Sequence, residues 1–123
     1  MSVLVDSDIL IEASRGRDAD LVSRWIELGR SDEVILYSPV SAAKLWAGAR
    51  PAEHGALHNL FRALNCVPID EATGRQAGDY LKRYRKSHVA ELGDALIAAA
   101  VLNRAALWTR NRKHYPMKEL IFF

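Results

Sequence analysis

The sequence lacks the features that mark secreted, membrane-spanning and disulfide-bonded proteins. Its one cysteine, Cys66, cannot form an internal disulfide, and no apolar run reaches the roughly 18–20 residues of a membrane span. The first residues enter a predicted strand directly, which leaves no room for a signal peptide. We therefore expect a cytoplasmic protein that does not bind membranes, with Cys66 buried as a structural thiol in the apolar stretch 66–69.

Internal repeats, low-complexity tracts and linkers are also missing, and neither sign of charge dominates. The 123 residues carry a formal net charge of +2, 50% of them are hydrophobic and 26% are charged. This balance is typical of a folded globular protein and argues against a disordered chain. A chain of this length can bury one hydrophobic core, so we expect a single domain over residues 1–123.

What the sequence does contain is an alternation of short apolar segments with helical patterns. Buried strands are predicted at residues 2–6, 34–38, 66–69, 106–109 and 120–123. Helices are predicted at residues 7–14, 18–29, from 39, from 51, from 70 or 71 to about 85, and around 94 to about 103. Because strands that alternate with helices pair in parallel, the pattern predicts an α/β fold with three layers, α/β/α, around a short and mostly parallel sheet of about five strands.

Polar residues follow the ends of three predicted strands. Asp6 ends the first strand, Ser38 ends the second and Asn111 follows the fourth. In a parallel sheet, ligands bind beyond the carboxyl ends of the strands. Asp94 lies near the start of the helix that precedes the fourth strand and can point into the same crevice. We therefore expect residues that are distant in sequence to converge there.

Each of these residues also has an ordinary structural interpretation. An aspartate after a strand, such as Asp6, is often a turn or capping residue, and for Asp8 an N-cap of the first helix is favoured over a ligand. Asp94 precedes a nearly all-apolar helix and should face inward, although a buried salt bridge or a cap would also explain it. Glu91 lies on the same helical face and could support Asp94 as a second acid. For Asn111 the default is a turn.

Acids against apolar sequence cost free energy unless a cation or hydrogen-bond donors meet them. Hard oxygen donors without a set of His or Cys ligands favour Mg²⁺ or Mn²⁺ over zinc. The histidines lack zinc-ligand spacing, and we interpret all four as surface or supporting groups: His54, His58, His88 and His114. The sequence therefore predicts a divalent-cation site built from carboxylates.

Two basic clusters, at residues 82–88 and 110–114, could contact phosphates, although a run of charge more often marks a solvated face. The second cluster follows a predicted strand. It is therefore the stronger candidate for binding nucleic acid.

Four segments of the chain resemble, in order, the motifs of the PIN-domain ribonucleases, and most closely the VapC toxins of bacterial toxin–antitoxin systems. They read VLVDSDILI at residues 3–11, SPVSAAKLWAGA at 38–49, LGDALIAA at 92–99 and LWTRN at 107–111. Four motifs in register at this chain length are specific. The resemblance covers essentially the whole chain.

The resemblance implies a PIN-like fold and an endoribonuclease that depends on Mg²⁺ or Mn²⁺. Acids at the positions of Asp6 and Asp94 hold metal in this family, and the position of Asn111 carries an acid or an amide in the site. One or two ions would activate a water for in-line attack on the phosphodiester. The residues that would support the site are Asp8, Glu91 and Thr109. Those that would hold RNA phosphates are Arg110, Arg112 and Lys113.

One position departs from the family pattern. The helix after the second strand normally presents a Glu where this sequence has Lys44, and a protonated lysine has no acceptor with which to ligate a metal. About 5 Å from a divalent ion, at an effective dielectric constant of about 20, its repulsion amounts to roughly 6–7 kcal/mol as an upper value. We therefore predict that metal is bound weakly or not at all and that cleavage is severely weakened. An introduced or selected inactivating change is favoured over natural divergence and over a surface lysine unrelated to the site.

The resemblance also implies partners, and it leaves two other functions open. The implied partners are RNA, a second copy of the chain in a homodimer, and a cognate antitoxin that blocks the acidic crevice. With Lys44 in place, the chain could instead be a non-cleaving PIN-fold module that binds antitoxin or RNA. An apolar strand followed by Asp6 and Asp8 also occurs in phosphotransferases with an aspartate nucleophile, but the chain is short for that class and has no downstream lysine and paired acids in a convincing context.

Overall fold

Strands and helices alternate along the chain in the computed structural model, which describes residues 1–84 and 90–123. The strands are β1 (Ser2–Val5), β2 (Val34–Tyr37), β3 (Asn65–Cys66) and β4 (Ala106–Trp108). The helices are α1 (Ser7–Arg15), α2 (Ala19–Arg30), α3 (Pro39–Gly48), α4 (His54–Ala63), α5 (Glu71–Tyr84) and α6 (Leu92–Val101). Two short 3₁₀ turns, Pro51–Glu53 and Arg112–His114, lie before α4 and after β4.

The four strands form one parallel sheet in the order β3-β2-β1-β4. The predicted α/β fold with a parallel sheet is therefore confirmed, with four strands where about five were expected. Residues 120–123 contribute an isolated parallel bridge between Phe122 and Leu107. The backbone pairs only around Leu107 because β4 itself is three residues long.

Helices cover the sheet on both faces, which gives three layers. Val3 and Val5 of β1 face a core cluster to which α1, α2, α3 and α4 contribute, while Leu4 faces a second cluster built mainly with α5 and α6. The side chains of a strand point alternately to its two faces. A continuous apolar run such as β1 therefore belongs in a sheet that is buried on both sides, as its position in the middle of the sheet requires.

The outer half of the sheet differs from the prediction. β2 is not buried throughout, since the side chain of Val34 is 45% exposed and only Leu36 is fully buried. The predicted strand 66–69 is the two-residue β3, and Cys66 is exposed, so its assignment as a buried thiol is wrong. The reason is the strand order, because β3 lies at the edge of the sheet with no neighbour beyond it. Pro68, which has no backbone N–H for a ladder, follows two residues later.

The helix termini are set by short polar side chains. Asp18 caps α2 as predicted, with its carboxylate accepting from the Leu21 N–H. The Ser38 hydroxyl accepts from the Val40 N–H at the start of α3, where Pro39 occupies the first turn. Within the described residues, no helix has the length and apolar character needed to cross a membrane.

Candidate active site

Three carboxylates lie together beyond the carboxyl end of β1. Asp6 directly follows the strand, Asp8 lies in the first turn of α1, and Asp94 lies in the first turn of α6. Asp6 is 6% exposed and Asp94 is 8% exposed. Burial raises the pKa of Asp8 and of Asp94, and in each case the charge of Asp6 raises it further. The three acids therefore form one electrostatic group, as the predicted convergence requires.

Asp6 is both a helix cap and a member of this group. Its Oδ1 accepts a hydrogen bond of 2.7 Å from the backbone N–H of Ser7. Its Oδ2 accepts bonds of 2.9 Å from the hydroxyl of Thr109 and 2.9 Å from the hydroxyl of Tyr115. Asp6, and not Ser7 or Asp8, is the N-cap of α1, so the prediction of the cap was wrong by one or two positions.

Asp8 contacts the loop that follows β4. Its Oδ1 accepts from the Ile9 N–H at 2.8 Å, and its Oδ2 accepts from the Arg110 N–H at 2.9 Å and from Nδ2 of Asn111 at 3.1 Å. Asn111 therefore lies beside Asp8 and donates to it through its amide nitrogen. Thr109 joins this loop to Asp6, since its hydroxyl accepts from the Asn111 N–H while it donates to the Asp6 carboxylate.

Asp94 is held by the start of its own helix. The Glu91 N–H donates to its Oδ2 at 3.2 Å, and the Glu91 carboxylate accepts from the Asp94 N–H in a capping box. Nδ1 of His114 lies 3.7 Å from the same oxygen. The exposed Glu91 is thus a capping partner of Asp94, which gives Asp94 the structural role that the sequence left open. The net effect of burial still raises the pKa of Asp94.

Lys44 lies on α3 and faces the start of α6. An added Cβ at Gly93 would stand 3.8 Å from Nζ of Lys44, an ordinary contact distance, and 3.2 Å from Cγ1 of Val40, which is tight, so the ammonium group lies next to position 93. The positive charge of Lys44 acts to lower the pKa of Asp94, against the larger effect of burial. The lysine therefore lies beside the acidic group, at the position where the resemblance implies a glutamate.

The basic residues after β4 differ in whether their charged groups make contacts within the protein. The guanidinium of Arg110 lies 3.9 Å from the carboxylate of Asp18, and that of Arg112 lies 4.7 Å from the centre of the Phe122 ring. Lys113 is exposed and forms no ion pair with the residues that the structure describes. Of the other basic cluster, residues 85–88 lie outside the described residues.

Two contacts of the site were not foreseen from the sequence. Tyr115 is 3% exposed and reaches Asp6 from beyond the 3₁₀ turn, and His114 lies beside Asp94. Tyr115 stands in no periodic pattern or motif that could have pointed to it, and His114 was noted only as the last residue of the basic cluster 110–114 and as a surface or supporting histidine. His54 and His58 pack against Trp46, in keeping with a supporting role. His88 lies outside the described residues.

The donors fit a hard divalent cation by their chemistry. Carboxylate oxygens are the ligands that Mg²⁺ and Mn²⁺ prefer, and a cation would stabilise the ionised forms of Asp8 and Asp94, which burial disfavours. Among the residues that the structure describes, no three or more His, Cys, Asp or Glu side chains are gathered at the spacing of a metal centre. The carboxylates are instead oriented by the protein's own N–H and O–H donors.

Comparison with known proteins yields one family and several solved structures. The family model of the PIN domain matches residues 3–119. Ribonuclease VapC10 of Mycobacterium tuberculosis is 41% identical over 119 residues, which cover 95% of this chain and 88% of the relative. VapBC2 from Rickettsia felis, bound to a DNA fragment from their promoter, matches with a TM-score of 0.80 at 19% identity over 100% of this chain and 98% of that chain. VapBC-1 from nontypeable Haemophilus influenzae matches with a TM-score of 0.81 at 21% identity over 100% and 97% of the two chains.

Proposed function

The chain belongs to the PIN-domain family and, within it, to the VapC ribonucleases, and from that premise we propose that it is the toxin of a toxin–antitoxin pair. Its substrate is RNA, and its active site is the cluster of the three carboxylates of Asp6, Asp8 and Asp94. The observation that carries the proposal is that buried carboxylates from distant segments meet at the carboxyl end of a parallel sheet. Membership of this family leaves no support for the phosphotransferase alternative.

Asp6 and Asp94 would hold a Mg²⁺ or Mn²⁺ ion, with Asp8 and Asn111 in supporting positions. When bound, such an ion supplies Lewis-acid activation of a water and stabilises negative charge on the phosphate. Thr109 fixes the orientation of Asp6, and Asn111 fixes that of Asp8. Lys113 is exposed and forms no ion pair with the described residues, unlike Arg110, and it would bind RNA phosphate with Arg110 and Arg112 beside it.

We further propose that Lys44 weakens metal binding and cleavage in this chain. Its ammonium group lies beside Gly93, and its charge favours the ionised form of Asp94, although burial still raises the pKa of that carboxyl overall. A divalent cation would have to enter against this charge, and the carboxylate that a glutamate would offer is absent. A chain of this kind can keep the fold and the partners of a toxin while it cleaves slowly.

The test is RNA cleavage by the unmodified chain and by Lys44→Glu, with Mg²⁺ and with Mn²⁺, on total RNA that includes tRNA. We expect Lys44→Glu to cleave at least tenfold faster, and Asp94→Asn in the same background to abolish the gain. Lys118→Glu makes the same change of charge at an exposed position and should leave the rate unchanged. Equal and strong cleavage by the unmodified chain and Lys44→Glu would contradict the weakening.

A second candidate function is a non-cleaving module that binds antitoxin or RNA. It is favoured by the same observation, that Lys44 lies beside the acids where the family has a glutamate. Some of the solved structures that share this fold are VapBC complexes. A groove of about 680 Å³ between α1, α3 and α4 has an apolar lining that includes Ile11, Leu57 and Leu60, with Lys44 also on its wall. An antitoxin segment would fit this groove, and a homodimer would present two copies of it. If Lys44→Glu remains inactive while the unmodified chain binds RNA or antitoxin, this second function is the correct one.

A further inference from the structure

The Asp6 carboxylate accepts three hydrogen bonds, as many as Asp8 and more than Asp94, and it is more buried than Asp8. Its Oδ2 accepts from the hydroxyls of Thr109 and Tyr115, both at 2.9 Å, and its Oδ1 accepts from the Ser7 N–H at 2.7 Å. A carboxylate oxygen offers about two acceptor positions. Both positions on Oδ2 are therefore filled, whereas Oδ1 keeps one position for another partner.

Tyr115 is placed to donate to Asp6. The residue is 3% exposed, and its hydroxyl lies 2.9 Å from Oδ2 of Asp6. A phenol has one O–H to donate, and here the Asp6 carboxylate accepts it. The hydrogen bond to Asp6 is the only one that this hydroxyl makes with the residues that the structure describes.

We propose that Tyr115 is a positioning residue for the metal site: by filling Oδ2 of Asp6 together with Thr109, it presents Oδ1 as the single oxygen that this aspartate offers to a divalent cation. The inference rests on the proposed metal site and adds a residue and a mode of binding to it. Tyr115 itself touches neither the metal nor the RNA in this assignment. It acts through Asp6.

The connection of Tyr115 to the rest of the site gives it a second effect on Asp6. Thr109 and Tyr115 lie at the two ends of the segment that follows β4, and between them Arg110 and Asn111 donate to Asp8. The segment is therefore hydrogen-bonded to both Asp6 and Asp8. Without the Tyr115 hydroxyl, the segment loses one of its hydrogen bonds to Asp6. Oδ2 then has an open acceptor position and can compete with Oδ1 for a cation.

The test compares Mn²⁺ affinity in variants that all carry Lys44→Glu, so that the repulsion by the lysine is removed. Partners of a metal-ligating side chain change metal affinity by about 10–100-fold when they are removed. We expect Tyr115→Phe to raise the Mn²⁺ dissociation constant about tenfold, measured by titration calorimetry. The matched control is Tyr80→Phe, which removes another buried tyrosine hydroxyl that contacts none of the three site carboxylates. Its affinity should stay within twofold of the parent.

Unfolding by denaturant in the presence of EDTA separates positioning from a general loss of stability. A purely structural Tyr115 would lower stability and leave the dissociation constant of the folded protein unchanged. A change within twofold in Tyr115→Phe, or an equal loss of affinity in Tyr80→Phe, overturns the inference and leaves the proposed ribonuclease site standing. If Lys44→Glu itself binds no Mn²⁺, the proposed metal site fails, and the role of Tyr115 fails with it.

Discussion

At the scale of single residues, the chain accommodates its acids by giving each carboxylate at least one hydrogen-bond donor. Asp6 receives one backbone N–H and two hydroxyls, and Asp8 receives two backbone N–H groups and an amide. Asp94 receives the Glu91 N–H and the proximity of His114. These bonds reduce the cost of burial without removing it, because the pKa values of Asp8 and Asp94 remain raised.

The raised pKa of Asp94 predicts that Asp94→Asn stabilises the metal-free protein at neutral pH. Burial raises the pKa of Asp94 in the folded state above its ordinary value of 3.8, so the folded state binds more protons and the free energy of unfolding falls as pH rises between the two values. An asparagine keeps the acceptor for the Glu91 N–H and carries no charge. The gain should therefore be present at pH 7 and shrink below pH 3.8, where the carboxyl group is protonated in both states.

This prediction is measured by urea unfolding in EDTA at several pH values. Asp79→Asn provides the comparison, because Asp79 lies exposed on α5 and takes part in a solvent-exposed ion pair with Arg83. A loss of stability in Asp94→Asn at pH 7 would mean that Lys44 and His114 outweigh burial. The sign of the change in unfolding free energy at pH 7 therefore shows whether burial or the neighbouring positive charges dominate at Asp94.

At the scale of elements, α3 brings Lys44 to the acids. The helix starts at Pro39, directly after β2, so its first turns lie at the same edge of the sheet as Asp6. The buried Ser38 fixes the start by accepting from the Val40 N–H, and the hydroxyl of Ser41 accepts a 2.9 Å bond from Ser7 of α1. The direction of α3, and with it the position of Lys44, depends on these buried hydroxyl contacts.

We expect Ser38→Ala to lower the free energy of unfolding by about 1 kcal/mol, and up to about 2 kcal/mol, because it removes the N-cap of α3. Thermal or denaturant unfolding measures the loss. Ser23→Ala, at an exposed position inside α2, should change stability by less than about 0.5 kcal/mol. Similar stability of Ser38→Ala and Ser23→Ala would mean that the cap contributes nothing and that tertiary packing alone places α3.

At the scale of the whole molecule, the parallel sheet is what assembles the site. The order β3-β2-β1-β4 places β1 between β2 and β4, so the segments that follow all three strands meet around Asp6. Thr109 and Tyr115 are 103 and 109 residues away from Asp6 in sequence and still donate to it. A cation bound at this point would therefore connect distant parts of the chain and stabilise the fold as a whole.

Mn²⁺ should raise the melting temperature of Lys44→Glu and leave that of the unmodified chain nearly unchanged. A ligand at about 100 times its dissociation constant stabilises the folded state by about 2.7 kcal/mol, which for a domain of this size corresponds to roughly 10 °C. Differential scanning calorimetry with Mn²⁺ and with EDTA measures both proteins. Equal stabilisation of the two would show that Lys44 does not oppose the metal.

The sequence by itself determined the fold class and most members of the site. The alternation of apolar segments with amphipathic ones predicted a parallel α/β sheet, because burial on both faces leaves a continuous apolar run. The strand and helix boundaries pointed to Asp6, Asp94 and Asn111, whereas Lys44, in the middle of α3, was singled out only by the resemblance to the PIN-domain motifs. The roles of these residues in binding metal and RNA stay predictions.

Only the tertiary structure decided which oxygen meets which donor. Cys66 is exposed because β3 lies at the sheet edge, and the order of strands is not written in the periodicity of any one of them. Asp8 binds the loop after β4 instead of capping α1, and Tyr115 reaches Asp6, through contacts that depend on side-chain directions across the fold. Sequence patterns record which faces are buried. The hydrogen bonds of the buried polar groups form only where the packed elements bring donors and acceptors within about 3 Å.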